Sequence, residues 1–418
     1  MLRIAAVARR SKTELWQAYL RYIISAQFLT SFGFGLVGPF MPLFIRELGG
    51  YSEREAALWA GILAGLNGVV MFLVSPMWGA LSDWFGHKRN VLRASFATAL
   101  IMSLTGVLQN IWQLIFSRIV MGGVSGVFPA MMGLSGSIVP KQRVVFAVGM
   151  LQGISSLGMM IGPLVGGMIV DWAGYRTAFL LSGVLIGLGG LLILTLVQED
   201  FHKPKAESHS LKSLGGEIRG LTKTPGVTRA LTLVSLAQMA PNLVAPVFGL
   251  LVADIAAQST AAAVGMVFTV MGIATTAAAF STGALSNRTG ITWLFVIGGL
   301  TGAAGSFAMT VAHTIPFALG MSVFLGLAVG VLSTSASGLV GAMAPTGRQG
   351  SAFGLVQSAN AIGFGLGPFI GGVLAHSFGL RLPFLIEGFL FLMMPLLVLG
   401  MPKTSSTATV VSAKSERN

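Results

Sequence analysis

Two charged side chains stand inside long apolar stretches of the sequence, and they are the residues best placed to do chemistry. Arg118 lies several residues into the apolar run that starts near Ile111. Placing a guanidinium in an apolar layer costs at least about 2.5 kcal/mol, so such a residue normally faces the interior of a helix bundle. Because the guanidinium stays charged, we expect Arg118 to act on a neighbouring acid or amide during coupling, without carrying a proton itself.

Glu387 is the one acid within such an apolar run, close to the end of the last one. Two interpretations stay open for its carboxylate. It is either a proton-binding group that couples together with Arg118, or a group that reaches the nearby surface. Its position near the helix end favours the surface.

A short polar segment with a defined order of charges follows the second apolar stretch. Asp83 comes directly after the helix end, Gly86 permits a tight reversal, and a basic pair follows. An anion at this point can pair with a base or a helix N-terminus in one conformation and release it in another. We therefore interpret Gly79, Asp83, Gly86, Lys88 and Arg89 as a gating loop.

Single amides and aromatic side chains are scattered through the other apolar stretches. Helix bundles hydrogen-bond such amides in any case, so each one fits packing as well as ligand binding. The candidates for a substrate cavity are Gln27, Phe32, Gln152, Gln238, Asn242, Gln357 and Asn360.

Residue patterns of enzymes are missing from the sequence. No Lys follows a Gly, no His is followed by Glu, and no G-x-S-x-G occurs, which argues against a P-loop, a zincin and a hydrolase elbow. The chain has no Cys, which excludes thiolate metal sites and cysteine nucleophiles. We expect no enzyme activity, no catalytic residue, no metal and no bound cofactor.

Glycines recur with one spacing in the two halves of the chain. Interior Gly and Pro destabilise a soluble helix by about 1 and 3 kcal/mol. In a membrane helix, small residues instead let neighbouring backbones approach closely. The repeat therefore predicts a helix-interface motif in two similar halves. Its first copy is Gly149, Gly158, Gly162, Pro163, Gly166 and Gly167, and its second, 205 residues later, is Gly354, Gly363, Gly367, Pro368, Gly371 and Gly372.

The elements that position these residues follow from composition. Of the 418 residues, only 9% are charged and 54% are hydrophobic, so the chain must bury apolar surface in lipid. Apolar windows predict twelve transmembrane helices, and hence an all-α integral membrane protein of two pseudo-symmetric six-helix bundles. We place an N-terminal tail and bundle at 1–197, a cytoplasmic linker at 198–226, a C-terminal bundle at 227–402 and a cytoplasmic tail at 403–418.

Basic residues indicate the orientation. With the N-terminus inside, 21 Lys and Arg residues fall on the cytoplasmic side and four fall outside, which predicts that both termini are cytoplasmic. The net charge of +13 then faces anionic lipid headgroups. We expect no nucleic-acid partner.

At these residues the chain resembles the major facilitator superfamily over essentially its whole length. The 79–89 segment resembles the family's gating-loop motif, Arg118 with Gly122 its fourth-helix motif, and residues 149–167 its fifth-helix antiporter motif. Residues 39–42 resemble the first-helix motif of the twelve-span drug:proton antiporters, and residues 109–113 with 174–176 resemble the MdtG-like bacterial multidrug exporters.

The resemblance implies a proton-driven exporter of small, largely hydrophobic compounds in the bacterial inner membrane, with the fifth-helix motif sealing the bundle interface. It implies a proton gradient as the energy source and a monomer whose partners are the substrate, protons and the lipid bilayer. No acid stands in the middle of the first span, where many relatives carry a proton or cation site. The alternatives are a sugar or metabolite exporter, or a membrane sensor or scaffold that does not transport.

Overall fold

The computed structural model describes residues 12–140, 143–199, 226–255, 261–343 and 349–399. These segments are helices joined by short turns. The helices of the first half are α1 (Lys12–Val37), α2 (Met41–Gly49), α3 (Glu53–Phe85), α4 (His87–Thr105), α5 (Ile111–Val124), α6 (Val127–Ile138) and α7 (Val144–Leu196). Those of the second half are α8 (Val227–Ile255), α9 (Ala261–Thr289), α10 (Ile291–Met309), α11 (Ile315–Met343), α12 (Gln349–Phe378) and α13 (Leu382–Leu399).

The described helices give twelve membrane crossings. Ten helical stretches are long and apolar enough to span a bilayer. One of them, 146–196, contains two crossings, because Gly174 leaves the helical backbone region and breaks α7 there. The polar start of α4 keeps that helix out of the ten, yet its 19 residues match the length that crosses the hydrocarbon core.

Equivalent turns of the two halves use glycines at repeat-related positions. Gly86 separates α3 from α4 with φ 98°, and Gly290 separates α9 from α10 with φ 79°. Gly174 and Gly379 have φ 80° and 98° at the second pair of turns. A side chain would be strained in this backbone region, which explains why glycine occupies all four positions.

Buried aromatic pairs repeat in the same way within each half. Phe44 packs against Phe179 with ring centroids 5.0 Å apart, and Phe248 packs against Phe384 at 5.5 Å. All four rings are almost fully buried. The first span bends where a 3₁₀ turn containing Pro39 joins α1 to α2.

The two halves contact each other along two repeat-related helix pairs. The part of α7 around residues 160–167 packs against α9, and α12 packs against α3. The predicted domain boundaries stay predictions, since most of the 198–226 linker lies outside the described residues.

Candidate functional site

Three glycines of the first motif copy allow α1 to pack closely against α7, within the same half. A Cβ added at Gly158 would lie 2.7 Å from the Phe32 nitrogen, and one at Gly162 would lie 2.6 Å from the Cα of Gly35. Gly166 lies equally close to the backbone of Leu36. These are distances at which a side chain cannot fit, so the close approach of the helices requires glycine.

The second copy repeats this arrangement with α8 and α12. A Cβ at Gly363 would meet the Met239 nitrogen at 2.8 Å, and one at Gly367 would meet the Met239 carbonyl oxygen at 3.0 Å. Gly371 lies against the backbone of Leu243. These six glycines therefore join helices inside a half, whereas the family resemblance implied that the motif as a whole seals the interface between halves.

The remaining residues of the motif form the contact between the two halves. The Pro163 carbonyl lies against Gly265 of α9, and a Cβ at Gly167 would lie 2.7 Å from the Cα of Ala262. In the second copy, the Pro368 carbonyl lies against Gly61 of α3. A Cβ at Gly372 would lie 2.7 Å from the Ala57 carbonyl oxygen. We call these two strips of backbone contact the outer seams.

The outer seam between α7 and α9 ends part-way along these helices. The seam between α7 and α9 continues to Gly272, which packs on Met160. Beyond it, towards the face predicted to be cytoplasmic, a Cβ added at Gly153 or Gly149 would meet nothing within 4 Å. The side-chain space at Gly354 lies outside the described residues. Among the described residues, contacts between α7 and α9 therefore close the predicted outer face.

A cavity of about 290 Å³ lies beside α1 in the first half. Its polar wall is a cluster in which the Gln27 amide donates to Ser31 at 2.8 Å and the Ser31 and Ser155 hydroxyls lie 2.8 Å apart. The buried Oε1 of Gln27 has no hydrogen-bond partner in the described part of the chain. The cavity is lined by Gln27, Thr30, Ser31, Phe34, Gly38, Phe128, Ser155 and Met159.

Among the sequence candidates whose side chains the structure describes, only Gln27 lines this cavity. Phe32 stacks on Phe28, with centroids 5.7 Å apart. Gln152 is exposed and outside the lining.

The candidates of the second half lie elsewhere. Gln238 packs against Gly363, and Asn242 donates to the Gln238 carbonyl at 2.7 Å. Asn360 is partly buried, and the Gln357 side chain lies outside the described residues. The sequence analysis missed Ser31 and Ser155, whose signal was two hydroxyls within apolar spans.

Arg118 points into the first half, between α5 and α2. Its guanidinium contacts the sulfurs of Met121 at 3.6 Å and Met41 at 3.9 Å. The Nε atom is buried without a hydrogen-bond partner among the described residues. Thioether sulfur is a weak acceptor, so this cation lacks strong partners in this conformation.

Glu387 lies inside the second half, and the expectation that its carboxylate reaches the surface is wrong. The residue is 1% exposed. Its Oε2 lies 3.0 Å from the Ser306 hydroxyl, which also lies 2.9 Å from the Gly302 carbonyl. The side chain points sideways into the packing of α13 on α10, so closeness to the helix end does not expose it.

The gating loop is held by an acid that the sequence analysis placed in the linker. The Glu199 carboxylate accepts hydrogen bonds from the backbone N–H groups of His87 (3.0 Å) and Lys88 (2.8 Å) at the N-terminus of α4. The Lys88 ammonium donates to the Leu194 carbonyl at 3.0 Å. Glu199 thereby anchors the end of α7 to the loop.

The remaining residues of the gating loop are Gly79, Asp83, Gly86 and Arg89. Gly86 forms the break, Arg89 is exposed, and a Cβ at Gly79 would meet nothing within 4 Å. The expectation that Asp83 follows the helix end is wrong, because α3 continues through Asp83 to Phe85 before the break at Gly86. The Asp83 side chain lies outside the described residues, so its pairing with Lys88 or Arg89 stays a prediction.

Comparison with protein families decides the class of this fold. The model described as Major Facilitator Superfamily matches residues 23–256 and 230–417. The chain belongs to the major facilitator superfamily. The two matches overlap over residues 230–256, which span nearly all of α8, and otherwise cover one half of the chain each.

Curated relatives match along nearly the whole chain. Multidrug resistance protein MdtG of Enterobacter lignolyticus (strain SCF1) is 30% identical over 398 residues, which cover 94% of each chain. Multi-drug resistance efflux pump PmrA of Streptococcus pneumoniae serotype 4 is 30% identical over 371 residues, covering 88% of this chain and 92% of the relative. The predicted resemblance to MdtG-like members of the superfamily is confirmed.

Solved structures share the fold at low sequence identity. A bacterial homologue of the human lysosomal transporter Spinster, inward-facing and unoccupied, has 14% identity and a TM-score of 0.73, covering 92% of this chain and 96% of its own. The nucleoside transporter NupG has 14% identity and a TM-score of 0.74, covering 91% and 100%. These structures show the fold, and membership of the major facilitator superfamily together with the curated relatives makes this chain a multi-pass membrane transporter of small molecules.

Proposed function

We propose that this protein exports small, largely hydrophobic compounds across the bacterial inner membrane in exchange for protons, by rocking its two halves between inward-open and outward-open states. The observation that carries the proposal is the pair of repeat-related outer seams, closed at one face with a cavity lying beside α1. The names of the two relatives, a multidrug resistance protein and a multidrug efflux pump, support export of drug-like compounds.

The cavity chemistry supports a substrate that is mostly apolar with few polar groups. Phe34, Phe128 and Met159 supply apolar and adaptable surface. The unpartnered Gln27 oxygen offers one acceptor that a substrate N–H or O–H can satisfy. Apolar walls with a few convergent polar atoms are typical of small-molecule sites.

Arg118 and Glu387 are the proposed coupling residues, and they act in different halves. A hydroxyl has one hydrogen to donate. The Ser306 hydroxyl donates to the Glu387 carboxyl at 3.0 Å and also lies 2.9 Å from the Gly302 carbonyl, so a proton taken up by Glu387 would let Glu387 donate to Ser306 while Ser306 turns its hydrogen to Gly302. This geometry supports Glu387 as a proton carrier, while Arg118 holds a buried positive charge beside α2.

Asp83 is the proposed switch at the cytoplasmic face, with both termini on that side. Asp83 lies in the last turn of α3, shortly before the α4 N-terminus, where a carboxylate can exchange partners as the halves move. We expect Asp83→Asn to lose most export, whereas Asn287→Asp at the repeat-related position changes it far less. Equal tolerance of both changes would contradict this role for the loop.

The experiment for the proposed function is dye accumulation in bacterial cells that lack other exporters. Cells producing the protein should retain less of a small hydrophobic fluorescent dye than control cells. A protonophore should abolish the difference. Unchanged dye retention in cells with confirmed membrane insertion would contradict drug export, and a difference that survives the protonophore would contradict proton coupling.

A further inference from the structure

We infer that Asp171 is a positioning residue that latches the predicted outer face shut by binding the N-terminus of α9 across the two halves. The inference rests on the proposed alternation between two states. Asp171 belongs to the first half, on α7 just before the Gly174 break, while α9 belongs to the second half. This contact joins parts of the molecule that must separate when the outer face opens.

Two backbone hydrogen bonds form the latch. The Asp171 carboxylate accepts from the N–H groups of Ala261 and Ala262, the second at 3.0 Å. These are the first two described residues of α9. Free N–H groups at a helix start carry partial positive charge, and a carboxylate placed there satisfies them and the helix dipole together.

The latch sits one helical turn beyond an outer seam. Gly167 and Asp171 are four residues apart and so share one face of α7. Gly167 removes the side chain that would hold α9 away, since a Cβ there would lie 2.7 Å from the Cα of Ala262. Gly167 permits the close approach of α9, and the Asp171 carboxylate binds the N–H groups at the start of that helix.

The repeat-related site shows why the latch is one-sided. His376 stands at the position equivalent to Asp171, one turn beyond Gly372. The helix facing it, α3, has its own cap, because the Ser52 hydroxyl accepts from the Glu55 N–H and the Glu55 carboxylate accepts from the Ser52 N–H. His376 lies near the charge of Glu55. Among the described residues, α3 is capped by its own half, whereas the first N–H groups of α9 are bound from the other half.

Opening the outer face would expose the Asp171 carboxylate and the two N–H groups to water. Losing the carboxylate removes a contact that only the outward-closed state makes. The change should therefore shift the population towards the outward-open state.

The test uses the absence of Cys from the chain. The reporter is Val264→Cys, one turn into α9 at a site 1% exposed in this conformation. Right-side-out vesicles, without drug or proton gradient, are treated with a membrane-impermeant maleimide. Asp171→Ala should raise the labelling rate about fivefold, the effect of a typical charge at a helix end. Asp171→Asn, which keeps one acceptor oxygen, should raise it less and also covers the case in which Asp171→Ala inserts poorly.

Two further measurements separate a latch from local loosening. A Ser155→Cys reporter in the cavity should be labelled more slowly in inside-out vesicles when Asp171 is changed, because opening one face closes the other. Asn110→Ala is the matched control: it also removes a side-chain oxygen from a helix start, but Asn110 and its partner, the Gln113 N–H, both lie in the first half. It should not raise labelling at residue 264.

Unchanged labelling at residue 264, or a rise there without a fall at residue 155, would overturn the latch. Neither readout involves drug, so a failure of the latch can be told apart from a failure of the proposed export.

Discussion

Gly61 and Gly265 occupy equivalent positions in the two halves, and each lies against the backbone carbonyl of a proline in the opposite half. Because each half offers both the glycine and the proline, the two outer seams form a closed and reciprocal pair. Such an interface can open at one face only if both seams separate together. That requirement links the sequence repeat directly to a rocking movement of two rigid halves.

Gly265→Leu should block transport while leaving membrane insertion intact. A Cβ at this position already meets the Pro163 carbonyl and would lie 3.1 Å from the Cα of Leu164. Overpacking of this kind typically destabilises a structure by about 1–3 kcal/mol, and here the destabilised state is the outward-closed one. We expect at least a tenfold loss of dye efflux, measured against membrane yield.

Gly320→Leu is the matched control for that change. An added Cβ at Gly320 meets nothing within 4 Å, so the same substitution should leave both yield and efflux close to normal. Equal efflux by the two variants would mean that the seam does not need glycine.

Gln27→Leu should change the selectivity of export more than its rate. The substitution removes the unpartnered acceptor in the cavity and also breaks the contact with Ser31. Substrates with a donor group should lose about tenfold in apparent affinity, as for a lost buried hydrogen bond, and purely apolar dyes should lose little. The measurement is a panel of dye competition assays.

Gln152→Leu supplies the comparison for the cavity. The notion that Gln152 contacts substrate came from the sequence, but its side chain is exposed outside the lining. We expect this variant to keep the normal dye profile. A shift in selectivity at Gln152 and none at Gln27 would move the substrate site away from this cavity.

The sequence predicted the architecture well, because a bilayer leaves few choices. Helix length, glycine spacing and the turn at Gly86 are local properties, and each appears in the structure where the pattern indicates. The sequence did not predict which glycines of the motif contact the other half and which contact a helix of the same half. Whether Gly158 or Gly167 faces the other half depends on how helices rotate about their axes, which spacing alone does not encode.

Arg118→Ala should yield a protein that inserts normally but no longer couples drug to proton movement. The variant removes a charge whose contacts in the described part of the chain are two weak sulfur acceptors, so stability should not fall. Arg118→Lys keeps the charge without the fork of donors and should keep part of the activity. Drug-induced proton movement in inside-out vesicles is the readout.

An unchanged pH profile of export in Arg118→Ala would show that the residue is structural. A parallel loss of membrane yield and activity would likewise remove it from the coupling mechanism.

Glu387→Gln should separate transport from proton coupling. The amide keeps the size of the carboxyl and donates as a protonated carboxyl does, so the contact with Ser306 at 3.0 Å survives. If Glu387 carries the proton, the variant should bind dye but fail to build up a concentration gradient of dye across the membrane. Ser306→Ala removes only the partner and should retain export with an altered pH profile.

Sequence reasoning failed where side chains depend on distant partners. Glu387 looked surface-directed because it is near a helix end, but the packing of α13 on α10 buries it. Asp171 carried no signal at all, since its partners are backbone N–H groups about ninety residues away and backbone donors leave no residue pattern. The same reason hid Glu199, which binds the start of α4.

The most direct measurement of proton-coupled export uses the purified protein in liposomes that contain a pH indicator. An imposed proton gradient should drive a small hydrophobic dye against its own concentration, and adding dye alone should move protons in the opposite direction. Gly265→Leu liposomes should do neither. Dye movement that proceeds at the same rate without a gradient, together with no proton movement on adding dye, would contradict coupled exchange by the two halves.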